Sequence, residues 1–449
     1  METIDLLRSG KLQGIKRLDL AAGLTEFPIE IFELADSLEI LNLSDNHLQS
    51  LPTDLGRLHQ LKIIFLSNNN FEEVPAVLAD CVNLSMVGFK SNQIRVLGEN
   101  ILPIGLRWLI LTDNKLERLP KSIGKLRNLQ KLMLAGNQLR SLPDEMADCQ
   151  NLELIRLASN RLESLPQWLF TLPRLSWLAC AGNSDCSANL SPTVPTIPWA
   201  ELKLLDTLGE GASGIILQGV WQSPVQPPNL VAIKIFKGAM TSDGAPADEM
   251  NACLAACGHP HLIGALGKVG NSPDATSGLV LSLIPPDYRN LGNPPSLDSC
   301  TRDTYPIDTY FSIETILAIA IAISSAVAHL HDRGIMHGDL YAHNIMTNDR
   351  GDCLLGDFGA ASSYDRTDPI VSLALERLEV RAFGCLLEDL LDRCQLSDVV
   401  DGDNRDHNRE KLVLDRMRKL QQDCLRVLPT DRPLFIEIGI ILAQITHHD

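Results

Sequence analysis

A chain of 449 residues exceeds what one ordinary core accommodates, and at about 150 residues per domain it divides into two or three. Its 45% hydrophobic content suffices to build those cores. Its net charge of −17 sets the surface against nucleic acid and anionic lipid, both of which would repel it.

The amino terminus, Met1-Glu-Thr-Ile-Asp-Leu-Leu-Arg8, carries acids where a signal peptide carries positive charge, and no long apolar region follows. The most apolar run, Ile316 to Leu330, has fifteen residues and includes Ser324, Ser325 and His329, so it reads as a buried helix and not as a membrane span. Eleven cysteines without C-x-x-C pairs read as scattered reduced thiols. Together these features predict a cytoplasmic chain.

The first half repeats itself. The pattern L-x-x-L-x-L-x-x-N-x-L starts at Leu38, Leu61, Leu84, Leu106, Leu129, Leu152 and Leu175, in steps of 23 residues with one of 22, and a looser copy starts at Ile15. Asn46, Asn69, Asn92, Asn114, Asn137, Asn160 and Asn183 keep the same register, and Leu-Pro or Val-Pro pairs follow most units, as at Leu51-Pro52 and Val74-Pro75. No unit can bury its leucines alone, so neighbours must stack into a curved solenoid whose asparagines satisfy the turning backbone. The pattern resembles the leucine-rich repeat of the short L-P-x-x-L variety. The strand positions that alternate with buried leucines, Ile40, Ile63, Met86, Trp108, Lys131, Leu154 and Trp177, would then line a concave face. So apolar a stripe predicts a protein substrate or regulator docked there.

Ser184 to Pro198 holds Pro192, Pro195 and Pro198 among Ser, Thr and Asn, and reads as a linker. The divisions are therefore 1–183 for the repeats, 184–200 for the linker and 201–449 for a second domain.

That second domain opens with Leu202 to Leu208, which alternates as a strand, followed by Gly209-Glu-Gly211-Ala-Ser-Gly214. A dinucleotide-binding fold would start a helix here, whereas Ile215-Ile216-Leu217 continue as strand, so a glycine hairpin able to approach phosphates is expected. Val231-Ala232-Ile233-Lys234 follows, and a lysine in so apolar a strand needs a carboxylate. Glu249 is the expected partner, ahead of Asp248 and Glu201. Downstream come His337-Gly-Asp339-Leu-Tyr341-Ala-His-Asn344 and, eighteen residues after Asp339, Asp357-Phe358-Gly359. Phosphoryl transfer needs one carboxylate at the acceptor hydroxyl and oxygen ligands for Mg²⁺, and Asp339, Asn344 and Asp357 suit those tasks.

These motifs, with Cys424-Leu-Arg-Val-Leu-Pro-Thr-Asp-Arg432-Pro433-Leu-Phe435 near the end, resemble the protein-kinase family across residues 202 to 446. The resemblance implies an α/β leucine-rich repeat solenoid followed by an α+β two-lobed protein kinase fold. It implies ATP and Mg²⁺, with catalysis by Asp339, Lys234 and Asn344 and metal binding by Asn344 and Asp357. Nucleotide binding would involve Gly209, Gly211, Gly214, Ile216, Ala232, Lys234, Glu249, Leu281 and Leu283. The implied activity is ATP:protein phosphotransfer, to serine or threonine. Three departures stand out. Gly338 replaces the usual arginine, so activity is expected not to wait for an activation-loop phosphate. Tyr341 replaces a lysine, and the interval from Asp357 to Ala374-Leu-Glu376 and Glu379 is short. They motivate the alternative of a pseudokinase scaffold that only binds partners. A receptor-like arrangement is disfavoured, because no membrane span separates the two halves. Residues 285–310, rich in proline, carry no assignable task.

Overall fold

The computed structural model describes residues 3–186, 195–211, 213–238, 240–256, 258–273, 276–397 and 405–447. It divides into two compact units, Met1–Leu175 with Gly182–Ser184, and Ser176–Ala181 with Asp185–Asp449.

The first unit begins with a short helix, α1 (Thr3–Arg8), and carries seven strands of three residues each. These are β1 (Arg17–Asp19), β2 (Ile40–Asn42), β3 (Ile63–Phe65), β4 (Met86–Gly88), β5 (Trp108–Ile110), β6 (Lys131–Met133) and β7 (Leu154–Arg156). Neighbours pair in parallel, Ile40 beside Ile63, Ile63 beside Met86 and Met86 beside Trp108. Leu38, Leu41, Leu43 and Leu48 of one unit are fully buried, and every unit repeats that arrangement.

The residue before each asparagine turns the chain in the left-handed region: Asp45 (φ 60°), Asn68 (52°), Ser91 (54°), Asp113 (56°), Gly136 (70°) and Ser159 (54°). Only glycine or small polar residues stand there, because bulkier side chains meet the following carbonyl. The asparagine then ties two turns together. Asn69 donates to the Leu43 and Leu66 carbonyls at 2.9 and 3.2 Å and accepts the Leu48 N–H at 2.8 Å. Asn92 and Asn114 repeat the pattern one and two turns on. Each such bond contributes about 1 kcal/mol, and leaving the buried backbone unpaired would cost more. Pro75, Pro120, Pro143 and Pro166, extended, each start a 3₁₀ turn.

The stripe expected to line a concave face is less open than its sequence suggests. Ile63, Met86, Leu154 and Trp177 are buried, while Ile40, Trp108 and Lys131 keep part of their surface, as do Phe65 and Ile110, two residues on along β3 and β5. Inside the unit, the Lys131 ammonium lies 4.2 Å from the Trp108 ring centre, and Phe65 leans over Gly88.

The second unit includes β8 (Trp177–Ala179), whose residues complete the repeat pattern in sequence. Part of the expected linker is also structured here: β9 (Thr196–Pro198) joins a six-stranded sheet, whereas Pro192 lies outside the described residues. The sheet continues through β10 (Leu202–Glu210), β11 (Gly214–Trp221), β12 (Asn229–Phe236), β13 (Ala265–Gly270) and β14 (Gly278–Ser282), in the order β10-β11-β12-β14-β13-β9. Ile197, Leu202, Val231, Ile233 and Val280 form its core, against which Trp199 and Trp221 pack. Helix α2 (Pro246–Ala255) accompanies this sheet.

The remainder is mainly helical, with α3 (Ile313–His331), α4 (Pro369–Leu391), α5 (Arg405–Cys424) and α6 (Phe435–His447). Small pairings join β15 (Arg289–Asn290), β17 (Ile345–Thr347) and β18 (Cys353–Leu355), and join β16 (Ile335–Met336) to β19 (Ser362–Ser363). At nineteen residues α3 exceeds the apolar run read from sequence and reaches the length and composition of a membrane span. Its Ile316, Ile319, Ile323, Val327 and Leu330 are nevertheless buried in this unit's core. Helix α4 runs unbroken through both Ala374-Leu-Glu376 and Glu379 to Gly384, and Asp368 caps it by accepting the Ile370 and Val371 N–H groups at 2.9 and 3.1 Å. Only residues 360–368 therefore separate Gly359 from a helix.

One cysteine expectation is corrected. Cys180 and Cys186 form a disulfide, because a short turn returns the chain across a separation of 6, wider than the C-x-x-C spacing. Cys81, Cys149, Cys353 and Cys424 keep buried thiols.

Candidate active site

Strand β12 presents Lys234 because its alternation turns Val231 and Ile233 into the core and the lysine to the other face. The ammonium bonds Glu249 Oε1 on α2, both residues are buried, and the Phe236 ring centre lies 5.2 Å from the nitrogen. Of the other two carboxylates considered from sequence, Glu201 accepts the Trp221 indole N–H at 3.0 Å and Asp248 shows no contact with Lys234. Burial pushes the Glu249 carboxyl up to about 7; Lys234 opposes that rise and the charge of Asp357 adds to it. Glu249 Oε2 is buried without a hydrogen-bond partner.

Strands β10 and β11 form the hairpin expected of the glycine segment, closed by the Gly211 N–H on the Gly214 carbonyl at 2.9 Å. A Cβ at Gly214 would strike the Ile235 carbonyl, so glycine is what lets β11 lie against β12. Gly209 and Gly211 face open space, which leaves their backbone approachable. Ile216 lies beside Lys234 and Ala232 beside Leu281 in register, while Leu283 follows the end of β14.

The residues of segment 337–344 are tied to one another. The Asn344 amide donates to Asp339 Oδ2 at 2.8 Å and to the Asp339 carbonyl at 2.9 Å. His337 accepts the Asp339 N–H through Nδ1 at 3.3 Å and donates from Nε2 to the Gly356 carbonyl at 2.8 Å, which places its proton on Nε2. One imidazole thus couples Asp339 to the residue before Asp357. Asp357 itself is left-handed, φ 53°, with Oδ1 accepting the Gly359 N–H at 3.2 Å. Beneath the loop, fully buried Glu379 accepts the His337 and Gly338 N–H groups at 3.1 and 2.7 Å and lies 2.9 Å from His331 Nε2. Burial alone would raise this carboxyl, but His331, His337 and the Gly338 N–H outweigh it and hold it below the ordinary value.

Gly338 has φ 73°, and a Cβ there would strike the Leu178 carbonyl and come within 2.7 Å of the Ala360 carbonyl. No side chain fits. The left-handed backbone and the two carbonyls thus suit glycine at this position.

Sequence reasoning missed Asp303. It lies in the proline-rich stretch without an assigned task, and it accepts the His343 N–H at 3.2 Å and faces Nδ1 at 2.7 Å. Burial pulls the His343 imidazole down, yet Asp303 beside it and the charges of Asp339 and Asp357 hold it above its ordinary value. The stretch is itself anchored: Arg302 bonds Glu388 at 2.7 Å and Asp389 at 2.5 Å on α4, and Asn290 donates to the His343 carbonyl at 2.8 Å. Nothing in its local composition signals these partners, which stand 40 or more residues away in the chain.

The donor set suits Mg²⁺ shared with phosphates. Among the described residues no group of three or more His, Cys, Asp and Glu forms a metal cage. Asn344 and Asp357 instead offer hard oxygens of the kind Mg²⁺ takes in small number alongside substrate phosphates. The buried ammonium of Lys234 and the open glycine hairpin suit the phosphates themselves.

Residues 202–383 match the family described as protein tyrosine and serine/threonine kinase, and residues 36–94, 104–162 and 127–184 match the leucine-rich repeat. The probable serine/threonine-protein kinase kinY of Dictyostelium discoideum is 26% identical over 304 residues, 58% of this chain and 50% of its own length. The receptor tyrosine-protein kinase erbB-4 of Mus musculus is 28% identical over 197 residues, 41% of this chain and 14% of its own. The probable cyclin-dependent kinase 10 of Dictyostelium discoideum is 28% identical over 163 residues, 36% of this chain and 40% of its own. The chain thus spans half or less of the length of these relatives.

Proposed function

We propose that this chain, which joins leucine-rich repeats to a domain of the protein tyrosine and serine/threonine kinase family, transfers the γ-phosphoryl group of ATP to a serine or threonine hydroxyl of a protein. The observation that carries the reading is the pairing of Lys234 with Glu249 and of Asn344 with Asp339 around Asp357. Lys234, held by Glu249, grips the phosphates, and the hairpin of Gly209, Gly211 and Gly214 covers them. Ile216, Ala232, Leu281 and Leu283 form the adenine side. Asn344 fixes the plane of the Asp339 carboxylate, which orients the acceptor hydroxyl and takes its proton as the bond to phosphorus forms. Mg²⁺, held by Asn344 and Asp357, supplies neutralisation of the phosphate charge. The alternative of a pseudokinase scaffold drew on Gly338, Tyr341 and the short interval after Asp357; close packing accounts for the glycine, and the paired polar groups favour catalysis.

The repeats, in this reading, recruit the protein substrate or a regulator through the half-exposed concave residues Ile40, Phe65, Trp108 and Ile110. Domain limits of 1–183, 184–200 and 201–449 and a cytoplasmic location complete the proposal.

Asp339→Asn tests it. The variant is expected to lose most ATP turnover while binding Mg-ATP as the unaltered protein does, since the base orients the acceptor and does not hold the nucleotide. Equal turnover in both proteins would remove Asp339 from the mechanism.

A further inference from the structure

We propose that the segment Ser176–Ala181 is a built-in brace of the catalytic loop, with Trp177 as a positioning residue for Asp339. The inference rests on reading the second unit as a protein kinase. It assigns to a strand of repeat sequence the work that a phosphate on the activation segment would otherwise do.

Four contacts within the second unit carry it. The Trp177 ring, 1% exposed, stacks on Tyr341 with centres 4.3 Å apart and planes at 8°, and its indole N–H donates to the Leu340 carbonyl at 3.0 Å. Both partners directly follow Asp339. The Cys180 N–H donates to the Ser362 hydroxyl at 2.9 Å, which engages the segment after Asp357-Phe-Gly. Arg381 on α4 donates to the Ser176 hydroxyl at 2.6 Å. Between these points the Leu178 carbonyl occupies the space that any side chain at position 338 would need. Six residues thus reach the catalytic loop, the activation segment and α4. An arginine at position 338 would have gripped a phosphate to join the first two; its absence and the strand's presence are two sides of one arrangement.

The geometry has consequences for both residues. Stacking between buried aromatic rings fixes two side-chain torsions of Tyr341, and a hydrogen bond in a dry setting fixes the adjacent Leu340 peptide. The Asp339 carboxylate, one peptide away, is thereby held in the orientation that Asn344 completes. A strand that merely plugged the acceptor approach would predict the opposite effect on turnover when its anchor is removed.

The test compares the full chain with Trp177→Ala and Trp177→Phe by hydrogen exchange and by steady-state kinetics. For Trp177→Ala, amides 337–344 and 360–364 should exchange at least tenfold faster, with the amides of β12 unchanged. Turnover should fall about tenfold with KM for ATP within twofold. Trp177→Phe, which keeps a ring against Tyr341 but lacks the N–H, should recover part of both. If Trp177→Ala does not fold, Ser362→Ala, which removes the acceptor of the Cys180 N–H, should show the faster exchange at 360–364. Unchanged exchange in these segments, or turnover that rises in Trp177→Ala, would overturn the brace. Absence of turnover in the unaltered chain would defeat the kinase reading, whereas unchanged exchange would overturn the brace whatever the turnover.

Discussion

Lys234 and Glu249 neutralise one another in a setting where either alone would be costly, and the raised carboxyl of Glu249 shows how incomplete that compensation is. In the unfolded chain this carboxyl titrates near its ordinary 4.5, and in the folded protein at about 7. Between those values the folded state binds the proton more tightly, so this group's contribution to stability declines as pH rises through the window. The ion pair, by contrast, becomes complete only above the upper value. ATP turnover is therefore expected to climb through an apparent pKa near 7, read from kcat/KM against pH. Glu249→Gln should flatten that limb at a low level. Asp339 and Asn344 were singled out one by one, not as hydrogen-bonded partners, whereas the Lys234–Glu249 pair was legible because a buried lysine demands a carboxylate. Asp303 was not, since its partner His343 is 40 residues away and is brought back by tertiary folding alone.

Elements change the meaning of single residues. Gly338 reads in sequence as a lost arginine, and β16 leads into it while the Leu178 and Ala360 carbonyls close around it. Gly338→Ala would force a side chain into left-handed backbone against those carbonyls. A loss of about 2 kcal/mol or more is expected from strain and overpacking, measured as a fall in denaturation midpoint. Because no cation stands at this position to grip an activation-segment phosphate, phosphatase treatment should leave turnover unchanged; a large drop would contradict that argument. The glycine hairpin and the Lys234 strand were readable from their motifs, and helix α3 from its apolar run. The fusion of the Ala374-Leu-Glu376 and Glu379 regions into one helix α4 was not read, although nothing between Ala374 and Glu379 breaks a helix. The strand within the expected linker was hidden likewise, since Thr196-Ile-Pro198 gains its pairing only from β13.

At the scale of the whole molecule, the repeat period announced the first unit, and its asparagine ladder follows from the need to satisfy a turning backbone every 22 or 23 residues. The openness of the concave stripe was overestimated, because sequence alternation shows which way a residue points and not what packs beside it. The half-exposed part of the stripe still makes a test of recruitment. Trp108→Ala should weaken capture of a protein substrate by roughly 2 kcal/mol, about thirtyfold, while leaving turnover on a generic peptide unaltered, as binding isotherms and peptide assays would show. Transfer of phosphate from ATP to a protein hydroxyl is the activity proposed for the whole chain. Mass spectrometry of the full chain after incubation with Mg-ATP, beside Asp339→Asn, addresses that directly. Phosphoserine or phosphothreonine in the unaltered chain and its loss in the variant is the expected result; Mg-ATP bound by both proteins with no phosphopeptide in either would contradict it.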